Sequence, residues 1–319
     1  MHSQHPAGDA AAPPRPRPHL VLVGPTASGK SALALELARR LPGPPVELVS
    51  VDSMQVYRGM DVGTAKPTAE QRAEFPHHLL DLADPSEDYS VAQFQAAARA
   101  ALGAIEARGH RALLVGGTGL YLRAVLDGLQ MPGLWPEVRA ELEEDRDNHA
   151  LHRRLAELDP PAAARMTPSN RRRIVRALEV SIGSGRPFSS FGPGLTEHRP
   201  SEDRMAGVWL PRPVVAARVA ERVQTMVGAG LVEEVRALAD RPGGLSRTAR
   251  QALGYREVLA HLAGRCTLDE ALEEAVRRTR AFSRRQRMWF RRDPRITWYG
   301  SASDPLAVLP VLLGDWSHP

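Results

Sequence analysis

The amino-acid sequence predicts an α/β protein: a parallel sheet flanked by helices, with a helical domain inserted into it. Three observations carry that prediction. Short apolar runs of strand length, such as His19–Val23, Val46–Val51 and Arg111–Val115, alternate with longer stretches of helical periodicity. A glycine-rich segment, Gly24-Pro-Thr-Ala-Ser-Gly-Lys-Ser31, joins the first apolar run to a helical stretch. From Pro136 to about Gly183 the strand signals vanish, and they return at Ala206–Leu210 and Ile296–Tyr299.

In chain order, Met1–Pro18 is rich in Pro, Ala and His and reads as a disordered tail without an apolar signal core. The first strand, His19–Val23, leads through the glycine-rich loop into a helix over Ala32–Arg40, with Leu33, Leu37 and Leu41 on one side. Val46–Val51 is a second strand ending at Asp52, and His78–Leu82 a short third. Tyr89–Arg108 is an Ala-rich helix, and the strand Arg111–Val115 closes on Gly116-Gly-Thr-Gly119. Ser184–Glu202 is rich in Gly, Pro and Ser and reads as a linker. The expected organisation is a tail (1–18), a core (19–128 and 206–319) and a helical insertion (129–205).

Composition narrows the function. At 319 residues the chain exceeds the ~100–200 of a typical domain, which suits a core with an insertion. Hydrophobic residues make up 43% and charged ones 25%, which argues against wholesale disorder. No apolar run reaches the ~20 residues of a membrane-spanning helix, so no membrane partner is expected and the compartment is expected to be the cytoplasm. One cysteine, Cys266, excludes an intramolecular disulfide and a cysteine-rich zinc site. Of the 42 basic residues only Lys30 and Lys66 are Lys. Both lie in Gly-containing loops, where a compact ammonium fits and a planar guanidinium does not.

Gly24-x4-Gly29-Lys30-Ser31 matches the phosphate-binding P-loop in its required context, strand before and helix after. The fold expected is therefore a P-loop NTPase-like core. The loop formed by Gly24, Pro25, Thr26, Ala27, Ser28 and Gly29 would frame an anion with its backbone N–H groups, Pro25 excepted, and with the helix N-terminus, with Lys30 as point charge and the Ser31 hydroxyl on Mg²⁺. The motif alone does not choose among ATPases, kinases and other transferases. Asp52, ending an apolar strand, suits either the Mg²⁺ shell or a general base.

Beyond Asp52 the chain resembles a family, the tRNA dimethylallyltransferases. The resemblance rests on Gly24–Ser31, Asp52-Ser-Met-Gln-Val-Tyr57, Gly59-Met-Asp-Val-Gly-Thr-Ala-Lys-Pro67 and Val115-Gly-Gly-Thr-Gly-Leu-Tyr121. It continues through Arg171–Val180, Arg218-x3-Arg222, Gln251-Ala-Leu-Gly-Tyr-Arg256 and Thr279-Arg-x3-Arg-Arg-Gln-Arg-x-Trp289, in family order over roughly residues 20 to 290. With one cysteine the chain lacks the zinc finger that eukaryotic members often append, which implies the bacterial type. The resemblance implies transfer of a dimethylallyl group from dimethylallyl diphosphate to the exocyclic amine of the tRNA adenosine 3′ of the anticodon. Pyrophosphate is the leaving group, and Mg²⁺ the implied cofactor.

The resemblance also distributes roles. It places Thr26 on the bridging oxygen, Arg222 on the pyrophosphate with Arg218 one turn earlier, and Asp52 as the base that takes the late proton of the attacking amine. It puts Ser53, Met54 and Gln55 at the adenosine, where the Gln55 amide matches an adenine edge, and Thr118 near the tRNA. Lys66 is expected on an RNA phosphate or the pyrophosphate.

Three basic patches point to a folded RNA held at several places. Arg277, Arg280, Arg284, Arg287 and Arg291 recur at spacings of three and four, on a helix without an acid between Arg277 and Arg292; Val276, Phe282, Trp289 and Phe290 fall opposite. Arg171–Arg173 with Ile174, Val175 and Arg176 form the second patch. Gln251, Gly254, Tyr255 and Arg256 form the third, with Tyr255 as a stacking ring. A monomer is expected. The rival functions are a P-loop ATPase that binds or remodels RNA and an adenylate isopentenyltransferase; a mononucleotide acceptor leaves the three patches unexplained.

Overall fold

The computed structural model describes residues 18–192, 194–195 and 197–317. The expected tail, apart from Pro18, lies outside the described residues. Chain order runs β1 (Leu20–Val23), α1 (Lys30–Arg40), β2 (Val46–Val51), α2 (Ala69–Glu74), β3 (His77–His78), α3 (Val91–Ala107), β4 (Arg111–Gly116) and α4 (Gly119–Leu126). Four helices follow: α5 (Pro136–Glu144), α6 (Asn148–Leu158), α7 (Pro160–Ala164) and α8 (Arg171–Ser184). The chain then returns through β5 (Arg204–Trp209), α9 (Arg212–Gly228), α10 (Leu231–Ala239), α11 (Tyr255–Leu262), α12 (Leu268–Phe290), β6 (Ile296–Gly300) and α13 (Leu309–Ser317).

The six strands form one parallel sheet in the order β3-β2-β4-β1-β5-β6. A parallel sheet needs cover on both faces, and β1 shows how it is obtained. Leu20 and Leu22 face a layer made by α1 and α13, while Val21 and Val23 face a second layer containing Phe94, Tyr255 and Phe290. Helix α3 begins with a capping box in which Ser90 and Gln93 satisfy each other's backbone N–H groups. The insertion has a separate small core, in which Leu142, Leu151, Leu155, Ile174 and Leu178 meet.

Three elements differ from expectation. The third strand shrinks to His77–His78 because Leu79 and Asp81 take positive φ, +65° and +58°, and leave extended geometry. Strand β5 starts at Arg204, two residues early. Helix α13, unmarked by strong periodicity, covers α1 with Leu309, Leu312 and Trp316.

At the amino end of β2 the buried Glu47 carboxylate collects Arg108 (2.7 and 2.9 Å), His78 Nε2 (2.5 Å) and His110 Nδ1 (2.6 Å). Burial alone would raise its pKa; the hydrogen bonds from Arg108, His78 and His110 and the Arg108 charge outweigh it and hold the carboxyl at about 2. A carboxyl held below its ordinary 4.5 stabilises the fold above that value and loses the contribution as pH falls towards 2. Glu47→Gln is therefore expected to lower the thermal midpoint at pH 7, with the gap to wild type closing between pH 4.5 and 2; a constant gap across a pH series of melts refutes the assignment.

Candidate functional site

The carboxyl edge of the sheet gathers three loops: Gly24–Gly29 after β1, the turn from Asp52 after β2, and Gly116–Gly119 after β4. In the first, Ala27 and Gly29 take φ of +62° and +82°, the kind of backbone reversal that turns successive N–H groups into an anion-binding concavity. Gly24 is required by proximity, since a Cβ there would lie 2.6 Å from Ser28 Oγ and 2.9 Å from the Val208 carbonyl oxygen. Ser28 Oγ is buried and finds no hydrogen-bond partner among the described residues. Gly29 caps α1 without a side chain, so the first-turn N–H groups of that helix keep their affinity for an anion.

A cleft of about 430 Å³ opens over this loop, with Lys30 and Ser31 on one wall and Arg218, Glu221, Arg222 and Thr225 of α9 on the other. Arg218 Nε donates to the Ala27 carbonyl at 3.1 Å and so ties α9 to the loop. Burial pushes the Lys30 ammonium down to about 8; the Asp52 charge opposes that shift and the Arg222 charge adds to it. Burial lowers Arg222 as well, again against Asp52. The cleft walls thus carry three cations, Lys30, Arg218 and Arg222, against the Glu221 carboxylate, with the Asp52 charge nearby, and an anionic ligand would offset the remaining excess.

Asp52 Oδ1 accepts from Met54 N at 2.9 Å, which fixes the turn that starts there. Ser53 N donates to Thr118 Oγ1 at 3.2 Å, so Thr118 joins two of the loops and does not cap α4 with its side chain. Gly116 and Gly119 are explained by packing: a Cβ would run into the Val51 carbonyl at the first and the Trp289 indole at the second. The strand end is tightly packed rather than flexible.

Several expected contact residues point inward. The Gln55 amide is spent on Ser50 Oγ (2.7 Å) and on the Thr64 and Ala65 carbonyls (3.2 and 3.1 Å), so in this conformation it has no edge to offer an adenine. Lys66 is buried and its ammonium binds Tyr57 O (2.5 Å), Asp61 Oδ1 (2.7 Å) and Asp81 Oδ1 (2.6 Å), not a phosphate. Tyr255 is wholly buried and donates its hydroxyl to Glu234, whose carboxylate also receives the N–H groups of Asp61, Val62 and Gly63 at 2.7–3.1 Å. It is a clamp on the loop after Gly59, and no base can stack on it. Ile174 and Val175 are core residues of the insertion, and Arg176 binds the Pro132 and Gly133 carbonyls. Arg172, Arg173, Gln251 and Arg256 are exposed, while Gly254, at φ +89°, donates its N–H to Glu257.

The arginine helix is also split. Arg280 gives Nε and Nη2 to the Ala216 carbonyl of α9 at 3.2 and 3.0 Å, and Arg287 lies 5.1 Å from the Trp209 ring. Arg284 and Arg285, the latter 5.8 Å from the Phe282 ring, and Arg291 and Arg292 just past the helix end are exposed and form the outward cationic face. Against the loops lie Ser283, Gln286 and Phe290, all buried. Gln286 takes the Thr26 N–H and gives to Gly117 O, both at 2.8 Å. Sequence reasoning quoted Gln286 within a family motif but gave it no role, although an uncharged polar side chain on the inward side of a helix this basic was the available signal.

Fold and cleft define a P-loop protein whose anion site is walled by a cationic helix and flanked by a carboxylate. The comparisons agree on a narrower group. The family model described as "IPP transferase" matches residues 55–293, and one described as "Isopentenyl transferase" matches 18–80. The chain is 52% identical over 307 residues to the tRNA dimethylallyltransferase of Streptomyces avermitilis, covering 95% of this chain and 96% of the relative. It is 47% identical to that of Geobacter metallireducens, with 92% and 96% covered. The solved tRNA isopentenylpyrophosphate transferase of Bacillus halodurans is 39% identical with a TM-score of 0.68, over 93% of this chain and 95% of that one. The chain belongs to the IPP transferase family, that of the tRNA dimethylallyltransferases.

The depressed Lys30 pKa has a measurable consequence. An anion binds the ammonium and not the amine, so affinity holds below about pH 8 and falls above it by up to about ten-fold per pH unit. Calorimetric titration of inorganic diphosphate from pH 7 to 9.5, taken as the difference between wild type and Lys30→Ala to cancel titration of the ligand, should show that break. A difference independent of pH refutes it.

Proposed function

We propose that the chain transfers the dimethylallyl group of dimethylallyl diphosphate to the exocyclic amine of the tRNA adenosine 3′ of the anticodon, releasing pyrophosphate. The observation that carries the reading is the cleft over the P-loop in which Lys30 stands opposite Arg222, with the charge of Asp52 acting on both. A diphosphate leaving group needs the first two, and an attacking amine needs the third.

In the reaction the allylic C–O bond breaks, the C–N bond forms, and the amine loses one proton. Lys30, Arg222 and the loop N–H groups stabilise the charge that develops on the departing diphosphate. Thr26 sits in the same loop, with its hydroxyl suited to the bridging oxygen. Asp52, oriented by Met54 N, accepts the amine proton late, when the new bond has made it acidic.

Mg²⁺ fits this cleft in the manner of P-loop proteins. Among the described residues no cluster of three or more His, Cys, Asp or Glu forms a protein cage for a metal. A P-loop needs none, since one hydroxyl and the phosphate oxygens serve with water. Ser31, exposed in the first turn of α1, would hold the ion, with Asp52 available to its outer shell. Bound there, Mg²⁺ supplies positive charge to the diphosphate.

The tRNA would lie across Arg172 and Arg173, Gln251 and Arg256, and the exposed face of α12. Among the described residues no helix is long and apolar enough to cross a membrane, and a monomer in the cytoplasm suits this reading. Incubation with unmodified tRNA and labelled dimethylallyl diphosphate, followed by nucleoside analysis, tests it directly. Label in a prenylated adenosine supports the proposal; ATP turnover without such a product favours an RNA-dependent ATPase, and label in a free adenine nucleotide favours the mononucleotide acceptor.

Two variants extend the test. Asp52→Ala is expected to reduce turnover by about a hundred-fold or more while tRNA affinity stays within a few-fold, because its contribution begins in the transition state; equal loss in both parameters moves Asp52 to substrate holding. Neutralising Arg284, Arg285, Arg291 and Arg292 together should raise the tRNA dissociation constant and lower the log–log salt slope by about 0.7–0.9 for each phosphate no longer neutralised. An unchanged slope shows that face to be merely solvated.

A further inference from the structure

Helix α12 grips a single residue of the P-loop at both ends of its backbone. Gln286 Oε1 accepts the Thr26 N–H at 2.8 Å, and one turn earlier Ser283 Oγ donates to the Thr26 carbonyl at 3.4 Å. The second end of the Gln286 amide donates to Gly117 O at 2.8 Å, beside Thr118. Gln286 and Ser283 are both buried, 8% and 4% exposed, so these bonds do not compete with bulk water. Their partners lie 260 and 169 residues away for Gln286. The absence of a side chain at Gly117 leaves room for this amide, since a Cβ there would crowd its nitrogen and displace it.

The arrangement has a chemical consequence. In a P-loop the backbone N–H groups are the usual anion donors, but here the Thr26 N–H is already taken. Thr26 can then serve a diphosphate through its hydroxyl alone, and the direction of that hydroxyl follows from a backbone held on both sides. We propose that Gln286 is a positioning residue, fixing the Thr26 peptide so that the hydroxyl meets the leaving group. The inference rests on the diphosphate-transfer reading above.

A double-mutant cycle separates this from a role in stability. Gln286→Met keeps volume and loses both bonds; Gln286→Glu keeps an acceptor for Thr26 N and loses the donor to Gly117. Thr26→Val removes the hydroxyl and keeps shape. For transfer at saturating tRNA, kcat of Gln286→Met should fall about ten-fold or more, Gln286→Glu should recover part of it, and the Met change should cost less than about two-fold once Thr26 is Val. Multiplicative losses in the double variant, or a Gln286→Met kcat within two-fold of wild type, overturn the proposal. Hydrogen exchange of the 23–31 segment reads the same interaction without any transfer: Gln286→Met should deprotect about one amide there while the thermal midpoint moves little. If wild type transfers nothing, the functional reading fails and the exchange result still decides whether Gln286 holds Thr26; unchanged exchange overturns that too.

Discussion

Lys30 is a cation placed where a helix already presents its positive end, with Arg222 opposite, and the rest of the structure is arranged around that constraint. Uncompensated positive charge at a helix N-terminus is unfavourable, and burial makes it more so, as the depressed Lys30 and Arg222 show. Asp52 is the counter-charge common to both. Three cations, Lys30, Arg218 and Arg222, against the carboxylates of Glu221 and Asp52 leave an excess that an anionic ligand would offset. The scaffold must therefore hold these groups in place before the ligand arrives. It does so with a sheet buried on both faces and with loops locked to helices from the other end of the chain.

Those locks share a pattern, in which backbone groups of the catalytic-edge loops are held by distant side chains. Glu234 collects three successive N–H groups at 61–63, Lys66 binds the Tyr57 carbonyl with Asp61 and Asp81, and Arg218 binds the Ala27 carbonyl. A loop cannot satisfy its own backbone as a helix does, so each buried loop group needs a partner from elsewhere. Ala65 and Asp81, both non-glycine residues at positive φ, flank the Lys66 ammonium, so unfavourable backbone is concentrated where the clamps are strongest.

The strands and the P-loop were legible because they are written in local patterns: apolar runs, glycine spacing and helical period. Direction was not. The scarcity of lysine drew attention to Lys30 and Lys66, but it could not show that Lys66 finds its three acceptors inside the protein. The three-four spacing located the arginine face of α12, yet a helix has neighbours on both flanks, and α9 and β5 claim Arg280 and Arg287. Tyr255, Ile174 and Val175 belong to motifs that the family resemblance attaches to tRNA, and their burial gives those motifs a second purpose, the holding of a loop and the filling of a small core. Gln286, quoted within a basic motif, received no role because its neighbours in sequence are arginines, whereas its neighbours in space are two glycine-rich loops.

A network of charged side chains ties the insertion to the core where the chain leaves and where it returns. Asp127, at the end of α4 where the chain leaves the core, accepts from Arg123 and from Arg295 (2.6 Å), and Asp293 also holds Arg295 (2.7 Å). The two arginines then donate onward to carbonyls of the returning segment: Arg123 to Leu195 and Glu197, Arg295 to Arg199. Arg123, Asp127 and Asp293 are buried, so the network carries a desolvation cost that apolar side chains would avoid. What the charges add is direction. An apolar patch tolerates sliding, whereas a carboxylate shared by two guanidiniums fixes where both strands of the crossing lie. Removal of one buried partner from such a pair costs roughly 3–5 kcal/mol, because the other charge is left without compensation. The Gly-, Pro- and Ser-rich return segment brings the carbonyls of Leu195, Glu197 and Arg199 and the His198 imidazole, 3.7 Å from Asp293, to this junction, and the arginines bring the donors.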